Sequence, residues 1–285
     1  MKSCFYLTSV FIISILFWNC HLGNKEVVSS AVEKIQSKEE IPAFNRELII
    51  DIDGDSIAGY ALIASGITPK ETVLLVAGYP GNDNNFDIAQ AIRRSGKNVI
   101  HFNHRGAWGS QGEYNYSNCL EDIEKLIVYF SQPNVADDLR INPKIFTLLG
   151  RSYGGGIALI QGSQIPAVQK IIAISSVNYG VIMEKYHKLE ELSGFKKYMK
   201  KQVMMNTHID RFLQELLDNK KAYNIITYKE QLAKKKVLLI EDSDKNQNWI
   251  SQLDKTEFIV LESDHNFIDK RIELTNLIVD WLDHK

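Results

Sequence analysis

Cysteine is scarce in this chain. Only Cys4, Cys20 and Cys119 occur, and the first two lie in the apolar N-terminus. No structural disulfide is therefore available to the folded body, and its core must hold it together. A surplus of one charge is missing too. Lys and Arg number 33 against 35 Asp and Glu, giving a formal net charge of −2 without any basic stripe, which argues against a nucleic-acid partner. Nor does any apolar run reach the roughly 20 residues that a membrane-spanning helix needs. What is present, 45% hydrophobic and 24% charged residues, is the composition of an ordinary globular protein.

The N-terminus departs from this average. Met1-Lys2 precedes an apolar stretch over residues 4–18, which ends at Asn19-Cys20. Residues 1–20 thus have the layout of a signal peptide. A lone Cys20 at the end of the apolar core, followed by a polar stretch, resembles a bacterial lipoprotein signal, which implies lipidation of Cys20 and membrane anchoring outside the cytoplasm, at the periplasm or cell surface. Phe17-Trp18-Asn19 is bulkier than the small residues preferred before such a cysteine, so secretion or an uncleaved anchor stays as the alternative. Residues 21–44, rich in Lys, Glu and Ser, read as a polar tether.

The folded domain is expected over 45–285. Short apolar runs at 47–52 and 57–63 flank the turn signal Asp53-Gly54, as in an antiparallel hairpin. Asp51, Asp53 and Asp55 briefly suggest a calcium loop, but Leu62 stands where that loop needs Glu, and the hairpin reading is kept. From residue 72 onward the pattern becomes continuous apolar runs (72–77, 98–102, 145–149, 170–175, 236–241 and 257–261) alternating with helical stretches (86–95, 120–131, 153–164 and 270–283). Such alternation predicts an α/β fold with a mostly parallel sheet and helices on both faces. The interval 178–235 is too long for a simple crossover. Within it Ile209, Phe212, Leu213, Leu216 and Leu217 follow helical spacing, which predicts a small helical cap over the sheet edge, packed on the core, lining the substrate pocket, or both.

One motif carries chemistry. Gly150-Arg151-Ser152-Tyr153-Gly154 is a G-x-S-x-G pattern placed directly after an apolar strand and directly before a helix. The bare pattern is common by chance, but a serine on a strand-to-helix turn is lifted above the sheet edge near a helix N-terminus, which is what a nucleophile needs. Here the chain resembles the α/β-hydrolase superfamily of serine esterases and serine aminopeptidases, across most of residues 46–283. Leu74-Leu75-Val76-Ala77-Gly78-Tyr79-Pro80-Gly81 is similar to the family's oxyanion loop, with Ala77 where a His is common. The resemblance implies that the backbone N–H groups of Tyr79 and Tyr153 form the oxyanion hole. Asn103 to Gly112 is similar to the family's R-G-x-G-x-S-x-G loop with Trp108 as one extra residue, and is read as structural. His101 and His104, three apart along a strand, would face opposite sides and so make a poor metal pair.

A serine nucleophile needs a base and an orienting acid. His265, in Asp264-His265-Asn266-Phe267 after the last strand, matches the family's late Asp-His-x-Phe loop. His21 lies in the tether, His187 and His208 in the insert and His284 at the end. For the acid, Glu241-Asp242-Ser243-Asp244 resembles the family's G-x-x-D with Glu241 at the glycine position. Asp244 is the expected acid and Asp242 its competitor. The implied function is hydrolysis of an ester, thioester or amide through an acyl-enzyme, carboxylesterase-like and with no cofactor or metal. The substrate would be a small-molecule or peptide acyl compound. A prolyl-aminopeptidase-like or oligopeptidase-like activity and a non-catalytic surface binding module are the alternatives.

Overall fold

The hairpin follows from its turn. In the computed structural model, which describes residues 41–81 and 85–284, β1 (Phe44–Ile52) and β2 (Asp55–Ile63) pair antiparallel with Ile52 opposite Asp55. Asp53 and Gly54 between them have φ of 55° and 88°, the pair of positive values that a tight two-residue hairpin requires and that Asp-Gly tolerates. Leu48, Ile50 and Ile52 alternate into the core, as strand geometry dictates. The signal-like segment, Cys20 and residues 21–40 of the tether lie outside the described residues.

β2 joins β4 (Asn98–Phe102) antiparallel, and from there the sheet is parallel through β3 (Lys70–Val76), β5 (Ile141–Arg151), β6 (Val168–Ile174), β7 (Lys236–Glu241) and β8 (Thr256–Val260). The eight strands described run in the order β1-β2-β4-β3-β5-β6-β7-β8. Because the chain leaves β3 toward β4 and leaves β5 toward β6, on opposite sides, a crevice opens at the C-terminal ends of β3 and β5, where open α/β sheets bind ligands.

Both faces are covered. Leu74, Val76 and Leu148 point into one apolar cluster, with the helices Tyr116–Phe130 and Tyr153–Gln164. Val73, Leu75 and Leu149 point into the other, with Phe86–Arg94 and Arg271–Asp283. The helix Tyr116–Phe130 begins four residues earlier than the apolar pattern suggests, because the Asn115 side chain accepts the amide of Asn118 at 2.7 Å and caps it. The short helix Pro133–Asp138, with proline in its first turn, leaves too little periodicity to be read from sequence. Within 178–235 lie the helices Tyr179–Met183, Ser193–Met199, Ile209–Asp218 and Lys229–Leu232. Phe212, Leu213, Leu216 and Leu217 are buried and continue the core cluster of the sheet.

Candidate active site

Ser152 stands between β5 and the helix Tyr153–Gln164 with φ 56° and ψ −120°, a conformation that costs free energy for a residue with a side chain. The surroundings enforce it. The Ser152 amide donates to the Ile174 carbonyl at 2.7 Å, and its own carbonyl accepts from Gly155 and Val177, each at 3.0 Å. Glycine is required around it, since a Cβ on Gly150 would come within 2.1 Å of the Gly154 carbonyl oxygen, and one on Gly154 within 2.2 Å of that of Val76. The helix therefore starts pressed against the sheet. The Tyr153 amide, at the first helical position, has no acceptor within the helix.

His265 completes the reach. Its Nε2 lies 3.1 Å from Ser152 Oγ and its Nδ1 lies 3.0 Å from Asp242 Oδ2. An ionised carboxylate only accepts hydrogen bonds, so Nδ1 carries the proton and Nε2 is left to accept from the serine hydroxyl. The loop holding His265 is fixed on both sides. Arg151, the residue before Ser152, donates to the His265 carbonyl at 3.1 Å and to Asn266 Oδ1 at 2.7 Å, and Phe267 is fully buried.

Asp242 is the carboxylate against His265, which corrects the expectation of Asp244. β7 ends at Glu241, so Asp242 sits at the strand's edge, where Ser175 Oγ donates to it at 2.9 Å. Glu241, at the position where the family pattern has glycine, is wholly buried and accepts from the Ser176 amide at 2.9 Å and from Asn246 Nδ2 at 2.8 Å. These bonds fold the loop back early. Asp244 then opens the 3₁₀ turn Asp244–Asn246 as an exposed residue. Glu241 at the glycine position was the one sequence signal that the loop spacing had changed.

Charge at the site is set by these contacts. Burial would raise the Asp242 carboxyl, but hydrogen bonds from Lys245, His265, Ser175 and Ser243 together hold it down at about 2. Lys245 Nζ lies 2.6 and 2.7 Å from its two oxygens, a contact for which the sequence offers no pattern. Burial pushes Glu241 the other way, up to about 7, with the neighbouring Asp242 charge adding to it against the bonds from Ser176 and Asn246 and the charge of Lys245.

The loop carrying Tyr79 lies beside Ser152. Gly78 packs on the nucleophile's turn, an added Cβ there falling 3.1 Å from the Arg151 carbonyl oxygen and 3.5 Å from Ser152 Cβ. Trp108 supports the loop from outside. Its indole Nε1 donates to the Pro80 carbonyl at 2.6 Å, while its own amide donates to Met204 of the insert at 3.1 Å. The segment carrying it is anchored by Asp122 in the helix Tyr116–Phe130, which receives His104 Nδ1 at 3.1 Å and the Arg105 amide at 3.0 Å. His104 is thus committed to a buried hydrogen bond with Asp122.

Three spaces meet at Ser152. One, of about 220 Å³, runs under the insert between Tyr153, Tyr179, Phe195, Tyr198, Met199 and Phe212. A second, of about 340 Å³, lies between the Gly78–Gly81 loop and Arg151, Gln202 and Asn266. The third is a cleft of about 860 Å³ with Asn178, Asn224, Lys245, Asn246 and Trp249 in its wall.

By sequence the chain matches no characterised family profile and no curated protein. By structure it is similar to esterase Est1E from Butyrivibrio proteoclasticus, solved with ferulic acid bound, at a TM-score of 0.65 and 11% identity, covering 82% of this chain and 97% of that one. GrgF, an alpha/beta hydrolase from Penicillium sp. sh18, is similar at 0.60 and 16%, covering 85% and 98%. The Pyrococcus furiosus esterase PF2001 follows at 0.59 and 15%, covering 85% and 90%. The fold is that of the α/β-hydrolases.

Proposed function

We propose that this chain is a serine hydrolase acting on carboxylic esters through an acyl-enzyme, with Ser152 as nucleophile, His265 as base and Asp242 as orienting acid. The observation that carries this reading is the unbroken hydrogen-bonded line from Ser152 Oγ through both nitrogens of His265 to Asp242, on a strained strand-to-helix turn. Ser152 Oγ attacks the ester carbonyl as Nε2 takes its proton, and the amides of Tyr79 and Tyr153 receive the charge that develops on the carbonyl oxygen. The imidazolium then protonates the departing alkoxide. Water, activated by the same nitrogen, releases the acid and regenerates the serine.

Esters are favoured over aminoacyl substrates by the charge in the large cleft. Glu184 is its one acidic lining residue among those described, balanced by Lys185, while Lys245 is paired with Asp242, so a substrate α-ammonium would find no net negative charge to anchor it. A fluorophosphonate probe should label the protein and fail on Ser152→Ala. Absence of labelling in the unaltered protein would favour the non-catalytic binding module. In the same reading, Cys20 anchors the enzyme to a membrane outside the cytoplasm. Fatty-acid labelling lost in Cys20→Ala supports that address, and labelling that survives the substitution removes it.

A further inference from the structure

We infer that the ester cleaved joins a compact aromatic acyl group, seated under the insert, to a polar, hydroxyl-rich alcohol lying in the large cleft. This inference rests on the hydrolase reading above and deepens it. Of the three spaces beside Ser152, the smallest and the largest differ in size and in chemistry. The smaller, at about 220 Å³, lies below the roughly 300–1,000 Å³ of sites that take a whole drug-sized ligand, so it accepts one fragment of a substrate. Its floor is closed, with Leu213 and Leu216 each about 1% exposed. A long fatty chain has no room to continue.

The walls select the kind of fragment. Tyr153 and Phe212 lie nearly parallel with ring centroids 6.4 Å apart, Tyr179 meets Tyr153 edge-on at 5.8 Å, and Tyr198 meets Tyr79 at 5.9 Å. Faces and edges together offer a flat ring more than they offer a branched or linear alkyl group. The tyrosine hydroxyls do not bring charge, because burial holds Tyr79, Tyr153 and Tyr179 above their ordinary range.

The large cleft has the opposite character. Asn178, Asn224, Asn246 and Gln252 give it amide donors and acceptors, and Lys185 and Lys245 give it ammonium groups, a set suited to many hydroxyls. Exposed residues Glu184, Lys185, Asn248 and Gln252 rim it. In a two-step reaction the alcohol departs first while the acyl group stays bonded to Ser152. The wide, solvent-rimmed space therefore takes the leaving alcohol and the smaller, aromatic-walled one takes the acyl group.

The test is a matrix of esters, 3-phenylpropanoyl, hexanoyl and dodecanoyl, each carried on methanol and on glycerol, with fluorophosphonate labelling run in parallel. The 3-phenylpropanoyl esters should exceed the hexanoyl esters in kcat/KM by about tenfold and the dodecanoyl esters by more, with glycerol preferred over methanol. Phe212→Leu should remove most of the aromatic preference, and Tyr198→Leu, at a residue 48% exposed and so of little weight in folding, should weaken it. Gln252→Ala should reduce the preference for glycerol. Labelled enzyme that turns over dodecanoyl esters as well as aromatic ones, or keeps its aromatic preference in both ring variants, overturns the inference. Equal turnover of glycerol and methyl esters overturns its alcohol half. An unaltered protein that neither labels nor cleaves any ester overturns the hydrolase reading instead.

Discussion

Lys245 lies within hydrogen-bond distance of both carboxylate oxygens of Asp242, the same carboxylate that receives Nδ1 of His265. The ammonium keeps Asp242 ionised, yet it also competes for that charge and places a cation near a base that becomes cationic during attack. Lys245→Met removes both effects. The acid limb of the kcat/KM profile should then move to higher pH, by roughly a few tenths of a unit given the exposure of the lysine, and should respond less to added salt. A pH-rate profile at low and high ionic strength measures this.

Asp242 and Asp244 make opposite predictions. Asp242→Asn should lower kcat by about 10³ to 10⁴, because an amide no longer holds the imidazole in the tautomer that accepts the serine proton. Asp244→Asn, at an exposed turn, should change kcat by less than about twofold. Steady-state kinetics on the two variants decides between the residues.

Glu241 ties stability to pH. Its carboxyl is held at about 7 in the fold against an ordinary value of 4.5, so between those values the folded state binds more protons than the unfolded state. Stability must fall as pH rises from about 4.5 to 7, and the cost is fully present above 7. Asp242 works in the reverse direction, its contribution being present above about pH 4 and lost toward pH 2. Melting temperatures from pH 5 to 8 should show the decline due to Glu241, and Glu241→Gln should flatten it.

In the proposed mechanism Trp108 is a positioning residue for the loop that carries Tyr79. Trp108→Phe keeps the ring that packs on Gly81 but deletes the donor to Pro80. A loop so loosened should cost kcat about threefold to tenfold with little change in KM, as expected when an interaction matters more in the transition state than in the ground state. Stopped-time assays with saturating ester separate the two constants. An effect on melting temperature alone would leave Trp108 a purely structural residue.

The sheet could be read from sequence because strands buried on both faces must be continuous apolar runs. The runs at 98–102 and 236–241 coincide with β4 and β7. That Ser152 and His265 meet could be expected because a strand-to-helix serine turn and a late histidine loop carry local patterns. Other relationships could not. Asp242 reaches His265 because Glu241 is bonded to Ser176 and Asn246, contacts that depend on how β6 and β7 lie side by side. Lys245 and Trp108 act through neighbours that no local spacing discloses, and the pocket under the insert draws on rings from residue 79 to residue 212.

The glycines around Ser152 also bear on how such a protein could change over time. Gly150 and Gly154 touch backbone, which no neighbouring side chain can move aside to relieve, so drift at the nucleophile's turn is closed to nearly every substitution. The insert is not bound in this way. Tyr198, Val203 and Met204 stand about half or more exposed on it, with room to vary at small cost in stability. Descendants of this chain could acquire new substrates by rewriting the roof of the site while inheriting its chemistry unchanged.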